Sequence, residues 1–578
     1  MRASFHTALL AASLLLASCS DDPTHPSGSR VESQYDVSFD FFTAPVRSLW
    51  GTPSGDMYAS GAFILKYDGN QWRPLQLPTY DRGFSETWGT SNGDLYAVGL
   101  NNIHRYDGFQ WHEIARPASV ADVWGSEDGH IFVVGGGNDR LYHYDGATWS
   151  VDSLIVTNAD FDPWRSVSGA NESDVYIGGW NGWLGHYDGH GWSAMRPDTT
   201  RFFSSSVWKA PDGPLYLTSF DSLFTYDGQR LQGLDLGERI WDPLVTGRSA
   251  TEVYCASGDG NIFSYNGSHW DHVADVNGFV DVVWGDRASN RLYAAGSGVI
   301  WKIDGTTPTV SFGQPDRQRG EFADLWGSEE DGVFLVGSRA YRYLNGTWTD
   351  LNKHSLTDWP ARSVWGRSGH ELYAVGDGMI LHYDGDQWTW VSGGADYRLM
   401  AVTGTERDVY AVGLDGAILQ RRDGQWTPMQ SGTSYWLFAA YAWDTQAFAA
   451  GEEGAIIHYD GREWRPFPSP VSWDIYDMFG FGNQIYAVGN DQTEICQFNG
   501  KSWNPVFVEY SGGINVSIWG TSQRNLFIGK SDGNVIHFDG SEWSFLPRMT
   551  SASVNSIWGA PDGEIFTANN RIVVRYAR

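Results

Sequence analysis

Residues 363–391, SVWGRSGHELYAVGDGMILHYDGDQWTWV, contain four short strand-like runs divided by turn signals. The first run ends at Trp365-Gly366, the second is Glu371 to Val375, the third Met379 to Tyr383, and the fourth starts at Trp388. The second run is apolar at consecutive positions, a pattern that needs cover on both faces of the sheet. Between the third and fourth runs sits Asp384-Gly385, a pair that favours positive φ and a tight hairpin.

The same unit recurs along the chain. Its landmark pair, Trp-Gly or an equivalent, returns at Trp50, Trp88, Trp124, Ser168, Trp208, Thr246, Trp284, Trp326, Trp365, Thr403, Tyr441, Phe479, Trp519 and Trp558, at spacings of 36 to 44 residues. Thirteen of the fourteen units carry Asp-Gly or Asn-Gly at the turn, among them Asp68-Gly69, Asp145-Gly146 and Asn499-Gly500. A Trp follows within two or three residues at Trp72, Trp111, Trp149, Trp192, Trp388 and Trp543. Four-stranded repeats of about 39 residues whose members cover one another's faces predict the blades of a β-propeller. The expected fold is all-β, tandem propellers of fourteen repeats. Two seven-bladed rings satisfy the count, as one very large ring also does; two rings are the expectation, over residues 35–307 and 308–578.

Composition agrees with this. Gly (69) and Trp (30) are heavily used, aromatics reach 15 %, and charged residues make up only 19 %, which suits short strands and glycine turns and suits neither a helical bundle nor a disordered chain. Burying one recurrent Trp removes about 150–250 Å² from water, on the order of several kcal/mol per blade, so these residues are packing residues first. The formal charge of −30 and the lack of a basic run exclude nucleic acid as a partner. Cys255 and Cys496 replace apolar strand residues and read as buried free thiols.

The turn between the third and fourth runs resembles the Asp-box of sialidase-like and sortilin-like propellers. It lacks one residue between Asp and Trp, so the resemblance implies the fold and no active-site residue. The N-terminus carries a second resemblance. Residues 1–19, MRASFHTALLAASLLLASC, hold an early Arg and an apolar run too short to span a bilayer, and the ending Leu16-Ala17-Ser18-Cys19 resembles the lipobox of bacterial lipoproteins. That resemblance implies a signal peptide over 1–18, cleavage before Cys19 and lipidation of it, followed by a polar tether over 19–34. Ser20-Asp21-Asp22 is similar to outer-membrane sorting and surface-export signals, so the expected location is the cell envelope, at the outer membrane. Lipid on Cys19 is the only membrane attachment expected.

The ends of the repeat array predict how the rings close. The last unit stops at Val573-Val574-Arg575-Tyr576 without a fourth run, and Tyr35-Asp36-Val37-Ser38-Phe39 stands where a fourth run would sit before Trp50. Unit seven is irregular after Asp304-Gly305. The expectation is that residues 35–39 complete the blade of unit seven and residues 309–312 that of unit fourteen, with the hinge near Pro308.

Catalytic signatures are absent from the sequence. Gly89-Thr90-Ser91-Asn92-Gly93 fits the nucleophile-elbow pattern but lies in an ordinary turn with no helix after it. No calcium-loop, zinc-spacing or P-loop pattern occurs, and no cofactor is expected. His143, His186, His382, His458 and His537 share one position of the repeat in five different units, which reads as packing. Departures from the repeat are more informative. Four to six residues before the landmark stand Trp164, Trp241, Trp359, Tyr397, Trp436 and Trp473, and a turn after the longest spacing adds Trp180 and Trp183. These turns surround one mouth of the channel, where exposed aromatics would stack on sugars or pack a protein partner. The function expected is a lipid-anchored envelope protein that binds or scaffolds a protein or glycan. The alternatives are a carbohydrate-active enzyme, hydrolase or lyase, at a ring mouth, and an envelope assembly factor.

Overall fold

The computed structural model describes residues 35–577 apart from residues 53–55, 79–83, 91–93, 100, 118–119, 127, 136–139, 155–163, 180–181, 198–205, 277, 287–290, 314–320, 329, 353–360, 392–395, 509–511 and 560–562. The signal segment, Cys19, the tether, Trp180 and Trp359 lie outside the described residues. Within them the chain forms fourteen four-stranded sheets. We number these blades 1 to 14 in the order of their landmarks and letter the strands A to D from the axis outward.

Blade 9 shows why each blade forms. In blade 9, strand A is Ala361–Ser368, B is Glu371–Gly376, C is Met379–Tyr383 and D is Trp388–Trp390, all antiparallel. Leu372, Tyr373, Ala374 and Val375 of strand B are fully buried, as two-sided cover requires. The hairpin from C to D is set by local chemistry. The Oδ1 atom of Asp384 accepts the backbone N–H groups of Asp386 and Gln387, both at 2.9 Å, and Gly385 takes φ +98°. Asp68, Asp107, Asp145, Asp188, Asp227, Asp460 and Asp539 make the same pair of bonds, which lower their carboxyl pKa values, to about 2 at Asp107 and Asp539. Part of the chain's acidity is therefore turn chemistry.

Neighbouring blades are locked by a belt of tryptophan on glycine. The landmark Trp of one blade lies on the landmark Gly of the next, so closely that a β-carbon at Gly125 would overlap the Trp88 ring. The belt also decides the number of rings. Trp284 of blade 7 returns to Gly51 of blade 1, and Trp558 of blade 14 returns to Gly327 of blade 8. The A strands agree, blade 1 touching blade 7 and blade 8 touching blade 14. There are two seven-bladed rings.

Two of the belt's exceptions follow the same steric rule. Blade 4 has Ser168 in place of Trp, and blade 5 answers with Lys209 in place of Gly; blade 10 has Thr403, and blade 11 answers with Ala442. In both, a side chain appears on one blade where the ring is missing from the other; at the third, Thr246 of blade 6, blade 7 keeps Gly285, and Tyr254 and Arg248 fill the place of the ring.

The strands that complete the blades reverse the expectation. Thr307–Phe312 is strand D of blade 7, with Trp301 opposite Val310 and Lys302 opposite Thr309. Asp36–Phe42 is strand D of blade 14, with Asp36 opposite Ala577 and Phe42 opposite Ile572. The expected hinge at Pro308 and the boundary after residue 307 thus fall inside a strand of the first ring, and the N-terminal strand belongs to the second. Two physical facts explain the difference. Asp304 lies opposite Thr307 across a short turn in which Gly305 takes φ +64°, so blade 7 closes by a local hairpin at small entropic cost. Asp40, in turn, accepts from the Trp348 indole N–H of blade 8 at 2.9 Å and from Arg575 of blade 14 at 3.2 Å, contacts that only the second ring offers.

The N-terminal strand also joins the rings. The Phe42 ring meets Phe63 of blade 1 at 4.5 Å and Phe312 of blade 7 at 5.1 Å, within one apolar core that includes Val46, Leu49, Met549, Val554 and Ile572. Backbone bonds from Leu77 to Arg548 and from Ser551 to Ala62, both 2.8 Å, fix the same junction.

Candidate functional site

The deepest carboxylates are the first place to look for chemistry, and they are engaged in holding the blades together. The residue two before each landmark faces the adjacent A strand, and A strands of neighbouring blades share no sheet ladder. Asp122 spans the gap by accepting the Val167 N–H at 2.7 Å, Asp324 that of Val364 at 2.9 Å, and Asp477 that of Ile518 at 2.8 Å. Ser48, Ser166, Ser363 and Ser556 do the same with a hydroxyl, to Thr87, Val207, Val402 and Leu325. Burial pushes Glu86 well above the usual carboxylate range, helped by its neighbour Asp122, and raises Asp324 and Asp122. At Asp477 burial raises the pKa from 3.8 to about 7.

A raised carboxyl pKa means that the folded protein holds a proton the unfolded chain has released. The stability this gives is complete below the unfolded value of 3.8 and is lost as pH rises through about 7. Asp477→Ser, which installs the side chain used at four equivalent positions, is expected to flatten that dependence. In thermal unfolding followed between about pH 5 and about pH 8, the variant should lose less stability than the natural protein, and at the lower pH the two should agree within about 1 kcal/mol, because the serine hydroxyl accepts the same N–H. Identical slopes for the two proteins would refute this account of Asp477.

The five histidines at one strand-C position also serve packing. His143, His186, His458 and His537 stack on the aromatic ring of strand B at 4.1 to 4.6 Å, and His382 does so at 4.9 Å. Cys255 and Cys496 are fully buried free thiols, with pKa values pushed up to about 12 by burial.

Two concave features remain. The channel of the second ring is a cavity of about 290 Å³ lined by all seven A strands, with Arg362, Met400, Phe438, Tyr476, Val516 and Asn555 at equivalent positions around it. In the first ring, a groove of about 520 Å³ lies between blades 4 and 5, beside the Ser168–Lys209 exception. The Lys209 ammonium donates to Asp174 at 3.1 Å and to the carbonyls of Ala210 and Gly213 at 3.0 Å each, so its three protons are used by the protein.

The aromatic residues singled out in the mouth turns divide sharply. Trp164 is buried, packed with Leu154, Val167 and Val175, and Trp183 is half-buried against the same core. Tyr397 is half-buried beside Leu399. Trp473 is half-buried and its indole N–H donates to Glu494 at 3.2 Å. Trp241 and Trp436 stand exposed, at 44 % and 43 %. Trp436 adjoins exposed Tyr435, its ring 6.4 Å from Phe438, which in turn is 6.0 Å from Tyr476.

Trp241 has company that the sequence reading missed. Phe220, in the B–C turn of blade 5, is 64 % exposed, and Phe279, in the connection to blade 7, is 56 % exposed. Their rings lie 6.1 and 6.4 Å from Trp241, both edge-on. Phe279 stands five residues before Trp284, inside the window that identified the other aromatics, so a search including Phe would have found it. Phe220 carries no such positional signal.

The whole chain shares its fold with a GH74 enzyme. The crystal structure of that enzyme, from Niastella koreensis, aligns over 93 % of this chain and 98 % of its own, with a TM-score of 0.71 at 13 % identity. The WD40 propeller domain of Doa1 aligns with 45 % of this chain and 93 % of its own at 14 % identity, TM-score 0.38; YCF48 bound to D1 peptide aligns with 45 % and 92 % at 16 % identity, TM-score 0.38. No family model matches the sequence, and no curated sequence is similar to it. Likeness at this identity establishes tandem propellers and leaves chemistry to the site.

Proposed function

We propose that this protein is a lipid-anchored binding or scaffolding protein of the cell envelope, without catalysis, that presents a propeller mouth to a protein or glycan. One observation carries the reading: the mouth turns hold out aromatic rings in both rings of blades, while the buried carboxylates of the channels are occupied as bridges between blades. Large aromatics kept exposed and in mutual contact mark interaction surfaces, whereas lone ones need no explanation.

The anchor rests on the lipobox-like Leu16 to Cys19 and on a tether that runs into Tyr35. Asp36–Phe42 is built into blade 14, so in this reading the protein hangs from the rim of its second ring. Fifteen polar residues reach roughly 20 Å, enough to clear a headgroup layer. Outer-membrane placement follows the Ser20-Asp21-Asp22 signal. The second reading, a carbohydrate-active enzyme, draws on the fold shared with a glycoside hydrolase and would need paired carboxylates at a mouth.

Detergent phase partitioning of the full chain produced in a Gram-negative host tests the anchor. The natural protein is expected in the detergent phase and Cys19→Ala in the aqueous phase; equal partitioning removes the anchor. Release of reducing ends from envelope or extracellular polysaccharides by the purified protein would replace binding with the enzymatic reading.

A further inference from the structure

We infer that the mouth turns of blades 5 to 7 form a preorganised platform for a neutral glycan. This rests on the binding reading above and narrows it to one ring, one face and one ligand chemistry.

The three rings are held, not merely exposed. The Asp242 N–H donates to the Phe220 carbonyl at 2.8 Å, tying the turn of blade 5 to the connection that follows it. The Gly258 N–H donates to the Trp241 carbonyl at 2.7 Å, and the Ser257 hydroxyl accepts the Trp241 N–H at 2.8 Å. The Val280 N–H, beside Phe279, donates to the Gly258 carbonyl at 3.4 Å. A continuous set of backbone bonds therefore spans the turns that carry Phe220, Trp241 and Phe279. Fixing the rings in the free protein lowers the ordering entropy lost on binding.

Trp241 is mounted on glycine. A β-carbon at residue 258 would come within 3.0 Å of its indole Cε3 and 3.1 Å of Cζ3, so this side of the ring lies against the backbone at Gly258. The residue nevertheless keeps an exposure of 44 %. Next to it Asp242 adopts φ +46°, a left-handed conformation unusual for a residue with a side chain and maintained here by its bond to Phe220.

Chemistry selects the occupant. The apolar part of the surface consists of aromatic faces and edges, the shape that receives the C–H face of a pyranose. The same turns hold Asp221, Asp242 and Asp259, all exposed, as acceptors for hydroxyl groups radiating from a sugar's rim, with Asp281, its carboxyl pKa raised by burial, beside them. These four carboxylates outnumber Arg47 and Arg239 nearby, and the chain as a whole carries −30. An anionic glycan would be repelled, and a protein partner would need more contiguous apolar area than three rings provide.

Binding of the full-length natural protein to immobilised neutral β-glucan, mannan and galactan oligosaccharides, with alginate and polygalacturonate beside them, is the test. At least one neutral probe should bind and neither anionic probe should. Trp241→Ala should weaken binding by about tenfold or more, Trp241→Phe should keep most of it, and Trp390→Ala, at an exposed ring on strand D of blade 9, should change nothing. The melting temperature of Trp241→Ala should match the natural protein; should it fall, Phe220→Ala and Phe279→Ala, at more exposed positions, carry the same test. Absence of neutral binding, equal binding to the anionic probes, or binding indifferent to Trp241 overturns the proposal. Binding lost in Trp436→Ala and kept in Trp241→Ala would move the surface to the second ring, leaving the broader binding reading standing and this one refuted.

Discussion

Deleting residues 35–42 is expected to open the second ring and leave the first intact. The deletion removes strand D of blade 14, whose pairing runs from Asp36 opposite Ala577 to Phe42 opposite Ile572. Strand C of that blade, with Ile572, Val573, Val574 and Tyr576 all buried, would become an exposed edge. Trp348 and Arg575 would both lose Asp40, and the core between the rings would lose the Phe42 ring. Loss of one buried Phe and of the strand's hydrogen bonds costs on the order of 5 kcal/mol. Hydrogen exchange followed by peptide mass should show blades 8 and 14 losing protection by two orders of magnitude or more, with blades 3 to 5 unchanged. Loss of protection in blade 7 instead would restore the closure expected from the order of the repeats. The same topology predicts that a proteolytic cut within residues 314–320 leaves the halves associated, because the strand ahead of the first ring is part of the second.

The second large effect concerns the belt. Gly125→Ala should destabilise the first ring by about 3 kcal/mol, since the three atoms nearest the new methyl all belong to the Trp88 ring, a rigid neighbour that cannot rotate away. Trp88→Thr alone should also destabilise, by a similar amount, through the lost packing. Combined, the two should cost much less than their sum, because the chain itself uses the pairs Thr403 with Ala442 and Ser168 with Lys209. Thermal unfolding of the two single variants and the double variant gives the coupling directly. Additive losses would show that steric exchange does not explain the exceptions.

Much of this architecture could be read from residues a few positions apart. The Asp-Gly turns are legible because the carboxylate that shapes each one accepts N–H groups only two and three residues ahead. The two-sided burial of strand B is legible because consecutive apolar residues admit no solvent face. The mouth residues were legible only as positions. Trp164 stands four residues before its landmark, within strand A, and is inside the protein; Trp241 stands five before its own, ahead of the strand, and is out. The exposed Trp241, Trp436 and Phe279 all stand five residues before their landmarks, yet spacing alone does not explain exposure, which depends on what neighbouring blades place alongside. Phe220 joins Trp241 through a backbone bond between separate turns, a relation of geometry with no counterpart in spacing.

The amino-acid sequence by itself determined the repeat, its four strands, its turns and the number of blades, because each follows from forces acting within about 40 residues: hairpin chemistry, alternation and the burial of large rings. Tertiary structure alone decided that Trp284 returns to Gly51, that the first strand completes the last blade, and which aromatic rings face water. Those choices join residues hundreds of positions apart, where several partners satisfy an edge strand or an indole equally well on local grounds. Only the simultaneous packing of both rings distinguishes among them.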